Sequence, residues 1–229
     1  MNQPLRVSPR SSVIGHFGWW VLLTYLSLVV AVVGVCFALG GNIGYAMVCL
    51  MVCGLCDMCD GPVARKATRT RQEESFGVQI DSLADLVSFG VFPLVIGYAV
   101  GPHYFSQDYV SLGMVASIVV SALYLLAALI RLAYFNAQQL ELANQGVART
   151  HYVGVPVTLV AIIIPLAYSI CSHLDIPLAT VYSPLLLVMA VAFLLRVKLP
   201  KLSGRRLLIF PLISVPILVD LLWHLGTRP

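Results

Sequence analysis

The chain has 229 residues, of which 59% are hydrophobic and only 10% charged, with a formal net charge of +4. A soluble domain of this size carries about 25% charged residues, so the composition excludes an ordinary water-soluble enzyme and implies an integral membrane protein. Its apolar runs have helix length, about 20 residues each, and lack the alternating pattern of an outer-membrane barrel.

Residues 1–13 are mostly polar and include Arg6 and Arg10. A first span is predicted from about His16 to Leu39, with Trp19 and Trp20 fitting an interfacial belt at its start. It carries no recognisable small-residue cleavage site and reads as a retained span rather than a signal peptide. Gly40, Gly41 and Asn42 make a tight turn, and a second apolar run continues to about Cys59. That run delivers Asp57 and Asp60 to the side on which the chain began.

Gly61 and Pro62 are expected to interrupt the helix there, because proline removes a backbone donor and restricts the residue before it. A largely basic connection follows, with Arg65, Lys66, Arg69 and Arg71, then Glu73 and Glu74. The third predicted span runs from near Phe76 to about Val100, with Asp81 and Asp85 in its first turns, and Gly101 and Pro102 end it.

A fourth span is expected from about Tyr109 to Phe135, carrying Arg131 near its end, and the polar segment 136–152 extends that helix beyond the membrane. The fifth runs from about Gly154 to Cys171 and the sixth from about Ile176 to Leu195. A basic loop, Arg196 to Arg206, precedes a seventh from about Leu207 to Leu225, which Pro211 and Pro216 are expected to kink.

The expected architecture is an all-α polytopic bundle forming one domain over residues 1–229, with a core over 14–196 and an extra helix over 207–226. No repeat or low-complexity stretch divides it. Seven spans put thirteen of the fourteen lysines and arginines on or near one side, leaving only Arg228 opposite. The positive-inside rule makes that side cytoplasmic, so the expected location is the cell membrane with the acidic cluster facing the cytoplasm. Anionic headgroups and a phosphate-bearing substrate account for the net charge without a nucleic-acid partner. A homodimer is left open. The six cysteines lie in or beside predicted spans, without the second ligand pair of a zinc site, and read as buried small hydrophobes.

Asp57, Asp60, Asp81 and Asp85 are the chemical centre of the sequence. Residues three or four apart share a helix face, so Asp57 projects with Asp60 and Asp81 with Asp85. Each carboxylate costs roughly 2.5 to 3.5 kcal/mol at the membrane centre, and four of them repel. A hard divalent cation, Mg²⁺ or Mn²⁺, suits such an oxygen-only donor set, and one or two ions would fit. Proton relay or pairing with Arg65 is the alternative.

The pattern Asp57-x-x-Asp60-Gly61-x-x-Ala64-Arg65, then Gly77-x-x-x-Asp81-x-x-x-Asp85, resembles the signature of the CDP-alcohol phosphotransferases. The motif covers about 29 residues, and the spans are compatible with that family's six-helix core. The resemblance implies transfer of a phosphatidyl group from a CDP-linked lipid to an alcohol, with CMP leaving. It implies Asp57, Asp60 and Asp81 as metal ligands, and Asp85 as both a ligand of a second ion and the catalytic base. Gly61, Ala64, Arg65 and Gly77 would line the CDP-lipid site. Gly61 also reads as a helix break, and Gly77 as a close helix contact. The connection between Arg65 and Gly77 is longer than the family pattern, which leaves open which of Arg69, Thr70 and Arg71 touches phosphate.

Asp81-Ser82-Leu83-Ala84-Asp85 followed by Ser88-Phe89-Gly90 is similar to the phosphatidylserine synthase branch, as are Arg131 to Asn136 and the GVPVT run from Gly154. That likeness implies CDP-diacylglycerol and L-serine as substrates. Serine's carboxylate needs a cationic or amide partner, so Arg131, an ionisable residue within a span, and Asn136 about one turn further on are acceptor-binding candidates, together with Ser82. Arg131 equally suits snorkelling to headgroups. Glycerol 3-phosphate or inositol is the alternative acceptor; an intramembrane prenyltransferase and an aspartate-lined cation transporter are more distant readings. Asp220 and His224 share a face of the last helix, toward the opposite surface, and read as pairing with each other or with water rather than joining catalysis.

Overall fold

The computed structural model describes residues 14–101, 112–145, 151–200 and 209–227. The expected beginnings of the fourth and seventh spans, the N-terminal residues with Arg6 and Arg10, the loop end at Arg205 and Arg206, and Arg228 lie outside the described residues.

Among them are seven helices: α1 (Leu22–Leu39), α2 (Ile43–Ala64), α3 (Arg71–Val100), α4 (Leu112–Gln145), α5 (Val160–His173), α6 (Leu178–Leu194) and α7 (Ile209–Thr227). Four stretches are long and apolar enough to cross a membrane: Trp19–Leu39, Ile43–Ala64, Arg71–Val100 and Val115–Gln139. The last three helices are apolar but shorter. A small antiparallel pairing of β1 (His151–Val153) with β2 (Lys198–Pro200) joins the segments that flank α5 and α6.

Helices α1 and α2 form a hairpin around Gly41, whose φ of +78° suits the turn to glycine. The hairpin closes tightly. A Cβ at Gly34 would lie 2.2 Å from Phe92 Cζ and 2.8 Å from Cys49 Cβ, so α1 meets both α2 and α3 at this glycine. α2 is the central post, packed by α1, α3, α5 and α7, while α4 lies along α6. Tyr124, Tyr182, Phe89, Phe92, Met47 and Leu50 are fully buried among these helices. Leu22, Leu26 and Val29 of α1 and Leu212, Val215 and Val219 of α7 stand on the outer surface, which suits acyl chains better than water.

Several boundaries differ from the sequence reading. α2 continues through Pro62 to Ala64, because a proline in the last turn forfeits one ladder bond while Arg65 N–H still reaches Gly61 O and Lys66 N–H reaches Val63 O. α3 starts at Arg71, not near Phe76, because Thr70 and Glu73 form a reciprocal capping box. Glu73 and Glu74 therefore belong to a first helical turn that favours anions, and Asp81 and Asp85 sit about three and four turns inside the helix. Trp20 does not face the membrane interface: it is buried, while Trp19 is exposed. Cys36 and Cys59 are likewise exposed rather than core residues.

One irregularity has a local cause. Leu86–Val91 forms a π-helical turn just after Asp85. Pro93 has no N–H to offer the Phe89 carbonyl one α-turn earlier, and the buried Tyr124 hydroxyl donates to that carbonyl instead. Tyr182 Oη then donates to Pro93 O at 2.7 Å, so α4 and α6 both brace the bend. The seventh helix packs on α2 and α5 and contains Pro216.

Candidate active site

The last two turns of α2 carry Asp57 and Asp60, and the part of α3 before the π turn carries Asp81 and Asp85. Carboxylate oxygens of Asp57, Asp81 and Asp85 lie within 4.8 Å of one another. Asp60 is buried, and its carboxyl adjoins that of Asp81. The helices thus turn both pairs inward. Arg65 is exposed and makes no ion pair with these groups among the described residues, so the Arg65 pairing alternative has no support.

Oxygen atoms this close repel unless they share a proton or a cation. The donor set contains carboxylate oxygen alone, with neither imidazole nor thiolate in the group, and fits Mg²⁺ or Mn²⁺. Beside it, Asn136 Nδ2 donates to Ser82 Oγ at 2.7 Å, and that hydroxyl lies 3.0 Å from Asn136 Oδ1. This pair ties α4 to α3 between Asp81 and Asp85.

Arg131 is 7% exposed and does not snorkel. Its Nε donates to Val155 O at 3.1 Å and its Nη2 to Gly154 O at 3.4 Å, with Phe135 against the guanidinium. Gly154 has φ +89°, and a Cβ there would stand 3.2 Å from Arg131 Nε, so the guanidinium seats on bare backbone.

The connection between α2 and α3 sorts the open phosphate candidates. Thr70 is occupied as the helix cap, and Arg71 is exposed in the first turn. Arg69 instead lies 5.4 Å from the Trp20 ring, with its Nε buried and without a hydrogen-bond partner. Gly77 lies beneath this contact: a Cβ there would meet Trp20 Cζ3 at 3.1 Å and Arg69 Nη1 at 3.5 Å. At Gly61 the space is open, with Arg65 Nη1 nearest at 3.6 Å, and Ala64 occupies the following turn. Sequence reasoning misses Trp20 as Arg69's partner and Tyr124 as the brace of the π turn. Pro93, one α-turn after a carbonyl it cannot serve, is the available signal for the latter.

A model of the CDP-alcohol phosphatidyltransferase family matches residues 21–196. The chain belongs to this family. Among curated proteins, it is 32% identical over 124 residues to the CDP-diacylglycerol--serine O-phosphatidyltransferase of Helicobacter pylori (strain ATCC 700392 / 26695), covering 53% of this chain and 46% of that protein. The enzyme of the same name from Saccharomyces cerevisiae is 34% identical over 122 residues, covering 51% and 39%. Archaetidylserine synthase of Methanothermobacter thermautotrophicus is 29% identical over 147 residues, covering 64% and 56%. The chain spans about half the length of the curated relatives it matches. Within the family match lie all four aspartates, Arg69, and the Ser82–Asn136 pair; α7 lies beyond it.

Proposed function

We propose that this CDP-alcohol phosphatidyltransferase moves the phosphatidyl group of CDP-diacylglycerol onto the hydroxyl of L-serine, releasing CMP at the cytoplasmic side of a cell membrane. The observation that carries the reading is the meeting of Asp57, Asp81 and Asp85 oxygens within 4.8 Å, from two helices of a chain in this family. Serine is favoured because the relatives above are named for serine transfer and because the run from Asp81 to Gly90 resembles that branch. Cytoplasmic orientation follows from the lysine and arginine distribution.

Asp57, Asp60, Asp81 and Asp85 would hold Mg²⁺ or Mn²⁺, which when bound neutralises charge developing on the phosphoryl oxygens and the departing phosphate. Asp85 takes the proton of the serine hydroxyl. The serine oxygen forms a bond to the lipid phosphorus as the bond from that phosphorus to the bridging oxygen breaks, and CMP keeps the electron pair. Position matters more than basicity here, because Asp85 lies in a fixed helical turn beside three other carboxyls.

Arg69 is the cation best suited to the diphosphate, since its Nε has no hydrogen-bond partner and its guanidinium lies 5.4 Å from the Trp20 ring. The open face at Gly61 leaves room for the nucleotide. Ser82 and Asn136 present hydroxyl and amide groups to the acceptor. Arg131 positions the 154–155 segment beside them, with its Nε and Nη2 bonded to those carbonyls.

An acceptor panel with purified protein tests the proposal. CMP should be released from CDP-diacylglycerol only when serine and Mg²⁺ or Mn²⁺ are both present. Turnover with glycerol 3-phosphate or myo-inositol, and none with serine, would overturn the acceptor assignment.

A further inference from the structure

A second ligand constellation lies at the other end of the bundle. His173 ends α5, and Asp220 and His224 occupy successive turns on one face of α7. His173 Nε2 is 2.9 Å from Asp220 Oδ1 and 3.4 Å from His224 Nε2, and His224 Nε2 is 3.8 Å from Asp220 Oδ1. One ligand-type atom from each residue therefore lies within 4.8 Å of the other two. Leu225, next to His224, lies against Gly44 at the start of α2, whereas Asp57 is thirteen residues further along that helix. At 1.5 Å per residue the two constellations are about 20 Å apart.

We infer that His173, Asp220 and His224 form a site for a borderline divalent cation of the Zn²⁺ class, which clips α7 to α5. Tetrahedral zinc with bonds of about 2.0–2.1 Å needs ligand atoms about 3.3–3.4 Å apart, and the three observed separations bracket that value. The ligand types separate this site from the aspartate cluster: two imidazoles and one carboxylate select zinc, cobalt or nickel, whereas oxygen alone selects magnesium or manganese.

The surrounding groups fit ligation. The Ser169 hydroxyl donates to Asp220 Oδ2, leaving Oδ1 directed at the two imidazoles, as an outer hydrogen bond commonly orients a metal-bound carboxylate. The imidazole rings meet edge to face, 4.6 Å between centroids at 62°, with their Nε2 atoms 3.4 Å apart and the rings unstacked. The side chain of His173 is 53% exposed, so water can reach a fourth coordination position. Asp220 and His224 lie beyond residues 21–196 while His173 and Ser169 lie within them, so the site joins the additional helix to the family-matched core.

The test uses full-length protein purified in detergent, treated with a chelator, and kept in excess Mg²⁺ to occupy the aspartates. Titration with Co²⁺ should give one equivalent with the visible absorption of nitrogen-coordinated cobalt, displaced by Zn²⁺, and Zn²⁺ should raise the unfolding temperature. His173→Asn and His224→Asn should each weaken Zn²⁺ binding at least tenfold, with CMP release retained; Ser169→Ala, which keeps all three ligands, should weaken it by about tenfold. If the unaltered protein binds neither ion under excess Mg²⁺, the three side chains form only a hydrogen-bonded cluster and the inference fails. It also fails if a His173→Asn/His224→Asn double variant keeps the cobalt spectrum.

Discussion

Ser82 and Asn136, 54 residues apart in sequence, pair across α3 and α4 with Asn136 Nδ2 donating to Ser82 Oγ at 2.7 Å. Ser82 immediately follows Asp81, so this hydrogen bond sets the rotation of the helix that carries both inner aspartates. Asn136→Ala should lower turnover by about five- to tenfold, the effect of about 1 kcal/mol of lost positioning, with a further rise in the serine KM. Steady-state kinetics at varied serine would measure both. An unchanged serine KM would leave the pair a helix tie with no acceptor role.

The aspartates should divide by role. Asp57→Ala, Asp60→Ala and Asp81→Ala should each reduce metal-dependent turnover by orders of magnitude, and the first and last should need more Mg²⁺ for half-maximal rate. Asp85→Asn should abolish CMP release while leaving CDP-lipid binding detectable by direct titration. Ordinary activity in Asp85→Asn would remove the proposed base.

Arg69 and Thr70 are neighbours with separable expected effects. Arg69→Ala should raise the CDP-diacylglycerol KM by tenfold or more with little change in unfolding temperature. Thr70→Ala should do the reverse, since it removes the cap of α3 at a cost of about 1 kcal/mol and touches no substrate. Kinetics and thermal unfolding on the two variants would show whether these effects separate.

Tyr124 serves a carbonyl that Pro93 cannot. Tyr124→Phe should leave the buried Phe89 oxygen without a donor and lower stability by about 1–3 kcal/mol, read as a reduced unfolding temperature in detergent. Because the π turn follows Asp85 directly, the same variant should also lose activity below its unfolding temperature.

Gly34 tests the close approach of α1 to α3. Gly34→Val would drive its side chain into Phe92 and Cys49 and should destabilise the protein by about 1–3 kcal/mol or more. Gly41→Ala, in the exposed turn with open space around it, should cost less and act only through its positive φ.

Much of the site is legible in the amino-acid sequence. The i, i+3 and i, i+4 spacings place Asp57 with Asp60 and Asp81 with Asp85, because helical periodicity is local. Helix ends are less legible. The Gly61–Pro62 pair suggests a stop, but a proline so near the C-terminus forfeits one ladder bond, and the helix runs on to Ala64. The start of α3 is readable in Thr70-x-x-Glu73, yet the charged run obscures it, since polarity resembles a loop until the capping box is weighed. The snorkelling alternative for Arg131 rests on its position in the chain alone. Burial against the Gly154–Val155 carbonyls decides otherwise.

Composition and apolar run length by themselves determined that this is a helical membrane protein, and motif spacing determined which acidic residues share a face. Tertiary structure decided which faces meet: three of the aspartates converging while Asp60 sits beside Asp81, Arg69 held against Trp20, and His173 joined to Asp220 and His224. The physical reason is range. A helical repeat reports on neighbours within about one turn. Contacts between distant segments depend on how whole helices pack, and here the small residue Gly34 and the Pro93 bend govern how closely α1 and α3 approach and how α3 turns.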